Sequence, residues 1–207
     1  MKAQSPDAGR YVLPVVLAVL CLDGLSAIDL SEQDRRQGLK YMAQTRDAVL
    51  EAARGLSEAQ WRFKPAPDRW SIAEIVEHIA LAEDFLFANV TDRVMKHSAG
   101  NGDRDNAMLD RMVLTVIPDR TNKATAAEPL RPTGRWTPAA AIAHFTESRA
   151  RTAAFLKDTA GLRDHVMDSP IGQPLDAYQW LLLSAAHCER HTRQILEVKA
   201  HPGFPRP

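Results

Sequence analysis

The chain has 207 residues, with 26 basic and 26 acidic side chains, so its formal net charge is zero. That length suits one well-packed domain with a short appendage. A neutral chain argues against nucleic-acid binding, which needs a basic surplus to displace phosphate counterions. The two cysteines, Cys21 and Cys188, cannot build a disulfide framework, and the absence of a CxxC pair excludes a thiolate zinc site.

Residues 1–27 have the pattern of a signal peptide. Basic residues precede an apolar run from Tyr11 to Leu22, and residues 25–27 supply a small-residue cleavage site. The run is too short to span a bilayer. We expect a periplasmic or secreted protein without a membrane anchor after cleavage, or a cytoplasmic one if the segment is not functional. The alternatives are a disordered or misassigned extension and a lipoprotein attached through Cys21.

Residues 28–207 contain four long amphipathic patterns, and capping residues mark where each helix begins. The predicted N-caps are Ser31, Ser71, Thr137 and Asp176. A capping box at residues 57–60 predicts one short turn, and residues 107–116 predict a short helix within the weakly patterned stretch 98–135. No strand of normal length is visible. Four helices with one long connection predict an all-α four-helix bundle, in which metal sites are built from facing core side chains.

Histidines lie on the apolar stripes of two of these helices. His78 lies three residues after Ile75 and four before Ala82, on the side of the second long helix predicted to be buried. His187 and His191 lie one turn apart on the inward stripe of the last helix, where two imidazoles can bind one metal ion. Imidazoles buried without partners are costly, and a shared metal removes that cost. We therefore predict a metal site at His78, His187 and His191.

Each of these histidines has a simpler interpretation as a hydrogen-bonded core residue. The pair on the last helix is not the zinc-protease signature, because Cys188 rather than glutamate follows the first histidine. Cys188 is interpreted as a packing residue. Gln194 either orients a ring or a bound water, or is a polar residue at the end of the core. Arg149 lies on an inner face and could reach an anionic substrate or a metal-bound group, but the pattern favours extension to the surface. Four further histidines are interpreted as structural or solvated: His97, His144, His165 and His201.

Two segments together resemble the DinB-like superfamily, also called the DinB/YfiT superfamily. They run from Asp68 to His78 and from His187 to Ile195. Leu56–Phe63 and His201–Pro205 are similar as well, so the resemblance covers about residues 30–205. It implies a four-helix bundle with an unusual crossover. It also implies a divalent metal held by one histidine of the second long helix and two of the last, which fall on His78, His187 and His191.

The resemblance also implies a chemistry. Relatives include metal-dependent S-transferases that use bacillithiol or mycothiol, and a maleylpyruvate isomerase that needs a thiol. Three histidines leave a coordination position open, as in catalytic sites. We expect a divalent ion, zinc or nickel, that activates water or a thiol co-substrate against a small electrophilic substrate. Those thiols are cytosolic, which conflicts with the predicted export. A non-catalytic metal-binding or stress-related protein remains open, as does a plain bundle that forms a homodimer.

Overall fold

The computed structural model describes residues 30–97, 100, 102–121 and 125–206. Six α-helices lie in these ranges: α1 (Glu32–Ala52), α2 (Glu58–Arg62), α3 (Ile72–Asp92), α4 (Asn106–Val116), α5 (Pro138–Asp158) and α6 (Ala177–Lys199). Two three-residue strands, β1 (Val166–Asp168) and β2 (Pro174–Asp176), form an antiparallel hairpin before α6. The predicted signal peptide lies outside the described residues. None of the described helices is long and apolar enough to cross a membrane.

The helices begin where capping chemistry predicts. The side chains of the four expected caps accept hydrogen bonds from backbone N–H groups in the first turns of α1, α3, α5 and α6. Full capping boxes form at Ser71 with Glu74 and at Asp176 with Gln179. The satisfied N–H groups remove the cost of exposed donors at each start. The boundaries that position the histidines are therefore set locally.

The four long helices form a bundle in which α1 and α3 lie diagonally, each between α5 and α6. Helices α1 and α6 are parallel, because Tyr178 donates to the Asp34 carbonyl near their starts and Lys199 donates to the Ala52 carbonyl near their ends. Helix α3 runs antiparallel to α6 and parallel to α5, since Phe87 and Phe155 meet near the ends of α3 and α5. A parallel pair cannot be joined by a tight turn. The long connection from α3 to α5, which includes α4, follows from this topology.

The core is apolar at both ends and polar in the middle. One cluster includes Met42, Leu86 and Leu156, and the other includes Ile75 and Phe145. The middle layer contains a buried ion pair whose hydrogen bonds link all four long helices. Its presence explains why the bundle has two apolar clusters rather than one.

Arg149 was predicted to extend to the surface, and this prediction is wrong. Its side chain is only 2% exposed and lies 2.7 Å from Oε2 of Glu83, which is 1% exposed. The same carboxylate oxygen accepts from Ser184, and Arg149 also donates to Thr45. A carboxylate within reach makes burial of the guanidinium tolerable, whereas an arginine without such a partner would extend to water. This pairing also excludes the alternative in which Arg149 contacts a substrate.

A second difference concerns Phe85, because the apolar spacing of residues 72, 75, 79, 82, 85 and 86 predicts that it is buried. Its side chain is 45% exposed. Phe85 lies one helical step from Leu86, which is buried, so it is at the border of the stripe. It lines a large cleft, described below. The short hairpin was not predicted either, because three-residue strands show no periodicity.

Candidate metal centre

Two antiparallel helices bring the three predicted histidines together. His78 lies in the second turn of α3, and His187 and His191 lie in the C-terminal half of α6. Their Nε2 atoms form a nearly equilateral triangle. The His78 Nε2 is 3.2 Å from that of His187 and 3.1 Å from that of His191, and the latter two are 3.1 Å apart. Among the described residues, this is the one group of three or more His, Cys, Asp or Glu side chains whose ligand atoms converge.

Hydrogen bonds on the far side of two rings set which nitrogen carries the proton. The His78 Nδ1–H donates to the Leu130 carbonyl at 2.7 Å. The His191 Nδ1–H donates to Oε1 of Gln194 at 2.8 Å. In a neutral imidazole the other nitrogen is then an acceptor, so Nε2 of His78 and Nε2 of His191 present lone pairs to each other. Two lone pairs at this distance cannot hydrogen-bond, and a cation between them removes the repulsion.

The triangle fits a divalent ion. Ligand nitrogens about 2.05 Å from an ion lie roughly 3.3 Å apart in tetrahedral geometry and roughly 2.9 Å apart in octahedral geometry. The observed 3.1–3.2 Å separations lie between these values. Three neutral nitrogen donors suit zinc, nickel and their neighbours in the first transition row. The residues therefore fit a metal without selecting one.

The surroundings keep the three imidazoles neutral. Burial lowers the pKa of His78, and it lowers the pKa of His191 to about 3. Burial and the proximity of His191 and His78 lower the pKa of His187 well below its usual value. Trp70 packs against His78 and His191, and its ring centroid lies 4.8 Å from that of His78 and 6.4 Å from that of His191. Neutral imidazole is the form that binds a metal, so the site is ready for one at neutral pH.

The connection between α3 and α5 supplies a part of the site that sequence reasoning missed. Glu77 is buried, and its carboxylate accepts from the backbone N–H groups of Thr133, Gly134 and Arg135 at 2.9–3.2 Å. These bonds hold the segment whose Leu130 carbonyl orients His78. A backbone carbonyl has no side-chain signature, so no sequence signal identified it. Outer contacts of this kind orient metal ligands and are as important as the ligands themselves.

The histidines line a cleft of about 1810 Å³. Apolar side chains of α3 and α6 form its base. The segments around Ile117, Leu130 and Ile171 form other walls. Sites for drug-sized ligands are about 300–1,000 Å³, so this cleft has room for a substantial organic molecule. The arrangement can hold a metal ion and a substrate next to each other.

The remaining polar side chains singled out in the sequence lie as follows. Gln194 contacts the His191 ring, in agreement with the first of its two readings. Cys188 is 1% exposed, and its Sγ faces the Thr45 carbonyl rather than the histidines. His144 pairs with Asp84 at 2.5 Å and stacks on Trp136. The remaining histidines, His97, His165 and His201, are likewise absent from the converging group.

Comparisons with known proteins agree with this fold. YfiT from Bacillus subtilis, described as a probable metal-dependent hydrolase with an unusual four-helix bundle topology, superposes with a TM-score of 0.53. The match has 14% identity and covers 85% of this chain and 91% of that one. The uncharacterized protein YuaE of Bacillus subtilis (strain 168) is 27% identical over 154 residues, which are 70% of this chain and 87% of YuaE. The model of the DinB superfamily matches residues 41–195, three quarters of the sequence, and the chain therefore belongs to the DinB superfamily.

Proposed function

We propose that this protein is a divalent-metal-dependent enzyme of the hydrolase type that acts on a small electrophilic substrate in the cleft. The observation that carries the proposal is the convergence of three imidazoles, two of them buried and that of His187 partly buried, whose Nε2 atoms lie 3.1–3.2 Å apart in the lining of the cleft. The printed description of YfiT as a probable metal-dependent hydrolase supports it. His78, His187 and His191 are the proposed ligands.

A divalent ion held by three imidazoles keeps a coordination position open, lowers the pKa of water to about 7 and polarises a carbonyl or phosphoryl oxygen. The chain's own residues do the rest. Leu130 and Gln194 fix the orientation of two rings through their Nδ1 protons. Trp70 covers the rings on one side and excludes water there. The apolar base of the cleft binds the body of the substrate next to the ligands.

The first experiment measures metal content in protein purified without an affinity tag. We expect about one zinc or nickel ion per chain by elemental analysis. His187→Ala should lose the ion, while His201→Asn, which changes an exposed histidine outside the converging group, should retain it. Full retention by His187→Ala, or no divalent ion in the unsubstituted protein, would refute the metal site.

The second experiment separates hydrolysis from thiol transfer. Metal-loaded protein is assayed against a panel of esters and amides without thiol, and against epoxides and aryl halides with and without a low-molecular-weight thiol. We expect hydrolysis that needs no thiol and disappears on chelation. Turnover only with a thiol would identify an S-transferase instead, and a stoichiometric metal without any turnover would favour the non-catalytic alternative.

A further inference from the structure

The cleft has a second polar region at the end opposite the histidines. The residues of α3 and its C-cap that line the cleft after His78 are Ala82, Phe85, Leu86, Asn89 and Arg93. Their spacing of three and four places them along one side of the helix. Asn89 lies eleven residues after His78, which is roughly 16 Å at 1.5 Å per residue. The cleft therefore extends well beyond the metal centre.

Helix α6 forms the matching side in the reverse direction. Trp180 lies seven residues before His187, with Leu183 between them, and all three line the cleft. Because α6 is antiparallel to α3, Trp180 lies toward the end marked by Asn89. The middle of the cleft is apolar, since Ala82, Leu86 and Leu183 form its base. A ligand that fills it needs an apolar body.

The far end carries donors without acceptors. Trp180 is only 4% exposed, and its Nε1–H has no hydrogen-bond acceptor among the described residues. The Nε–H group of Arg104 likewise has no hydrogen-bond acceptor in the described part of the chain. Nη2 of Arg104 donates to two neutral oxygens, the Pro174 carbonyl at 2.7 Å and Oε1 of Gln179 at 3.1 Å. Arg104 and Trp180 both line the cleft, as does Pro174, whose carbonyl accepts from Arg104.

A second cation lies at this end. Arg93 donates to Oδ1 of Asn89 at 3.1 Å, which is again a neutral acceptor. Buried donors are normally satisfied, so two unmet N–H groups on residues that line one cleft call for an acceptor. With two guanidinium groups present, the acceptor that the chemistry favours is an anion, because charge-assisted hydrogen bonds are the stronger ones.

We infer that the natural ligand is an elongated apolar molecule with an anionic group, a carboxylate, bound by Arg104 and Trp180 at the end of the cleft opposite the histidines. The inference rests on the proposed function in one respect, which is that the other end of the same molecule reaches the metal centre. The apolar body lies along Leu86 and Leu183. The reactive group is then roughly 16 Å from the anion, by the helical rise between His78 and Asn89.

Binding of decanoate to the full chain tests the anion site. Isothermal titration of chelator-treated protein compares decanoate with 1-decanol, which has the same chain without the charge. We expect decanoate to bind about tenfold more tightly or better, as a charge-assisted hydrogen bond allows. In ¹H–¹⁵N spectra, the Trp180 indole resonance, assigned through Trp180→Phe, should shift on addition of decanoate and remain in place with the alcohol.

Matched variants localise the effect. Arg104→Gln should abolish the preference for decanoate, whereas Arg111→Gln, the same charge change at an exposed position of α4 outside the cleft, should keep it. If Arg104→Gln fails to fold, Trp180→Phe serves instead and should weaken decanoate binding several-fold. Equal binding of the two probes, no binding of either, or an unmoved Trp180 resonance would overturn the inference.

The metal state separates this inference from the proposed function. Decanoate should bind equally well with and without metal and in His187→Ala. Binding that requires the metal would place the carboxylate on the ion and refute the far-end site. Absence of metal from the protein would refute the proposed function but leave the preference for decanoate as expected.

Discussion

Replacing Glu77 by glutamine tests whether the long connection controls the metal centre. The carboxylate accepts three backbone N–H groups, and one of its oxygens, Oε2, receives that of Gly134 at 2.9 Å. A glutamine presents an amide NH₂ in place of one oxygen, so at least one of these bonds becomes a contact between two donors. The connection that carries Leu130 then loses part of its anchor. The substitution also removes the negative charge, while the size of the side chain hardly changes.

The size of the effect follows from the bonds lost. A hydrogen bond to a charged group contributes about 1.5–3 kcal/mol, so we expect a loss of that order in the free energy of unfolding. At about 2–4 °C per kcal/mol for a chain of this size, the melting temperature should fall by roughly 3–12 °C. Loss of an outer contact to a metal ligand lowers metal affinity by about 10–100-fold. We expect that range for Glu77→Gln, since Leu130 would no longer be held against His78.

The assay pairs thermal unfolding with metal competition against a chromogenic chelator. Glu128→Gln is the matched control, because Glu128 is exposed, lies in the same connection and, among the described residues, forms its ion pair with Arg131 at the surface. That variant should remain within about 0.5 kcal/mol of the parent. If Glu77→Gln loses stability but keeps full metal affinity, the connection does not orient His78, and the reasoning from the Leu130 carbonyl is refuted.

Three further predictions concern the core and the histidines. Arg149→Met should lower the free energy of unfolding, measured with urea, by about 3–5 kcal/mol because it leaves Glu83 charged and buried. Adding Glu83→Leu should restore most of this loss. A double variant as unstable as Arg149→Met would contradict the reasoning. In chelator-treated protein the pKa of His191, about 3 in the folded state, lies below its unfolded value of about 6.5. Below pH 6.5 the unfolded state therefore binds more protons than the folded state. The contribution of His191 to stability is complete above that pH. Between pH 6.5 and 5 the free energy of unfolding should fall by about 2 kcal/mol from this residue alone. The urea midpoint measures this, and an unchanged pH dependence in His191→Gln would show that the residue is not responsible. Chelation should lower the melting temperature by roughly 5–11 °C when the metal was present at 100 times its Kd, and no shift would argue against a bound ion.

The placement of the three histidines could be predicted because it depends on local periodicity. Once Ser71 and Asp176 start their helices, His78 and the pair at His187 and His191 must lie on inward stripes. The bundle then needs only antiparallel packing of α3 and α6 for them to meet. Capping and periodicity are short-range signals, so they are readable from one sequence.

The buried ion pair could not be predicted in the same way. Arg149 and Glu83 are on different helices, 66 residues apart in sequence, and each alone is a residue that normally extends to water. Only the angular position of each helix in the bundle brings them together. A long charged side chain is buried only where an oppositely charged partner lies within reach. One sequence does not show which residue of another helix that partner is.

The long connection between α3 and α5, which has the weakest periodicity in the sequence, passes beside the metal centre because of the topology of the bundle. Since α3 and α5 are parallel, the chain must return along the whole bundle between them, and this return carries α4 and the segment around Leu130. It passes beside the start of α3, where Glu77 binds it and His78 donates to it. A stretch with prolines and little periodicity thus supplies the acceptor that fixes one ligand ring, because its role depends on backbone groups rather than on side chains. A protein with the same three histidines but a tight connection after the second long helix would need antiparallel helices there, and would have to orient that ring by another group.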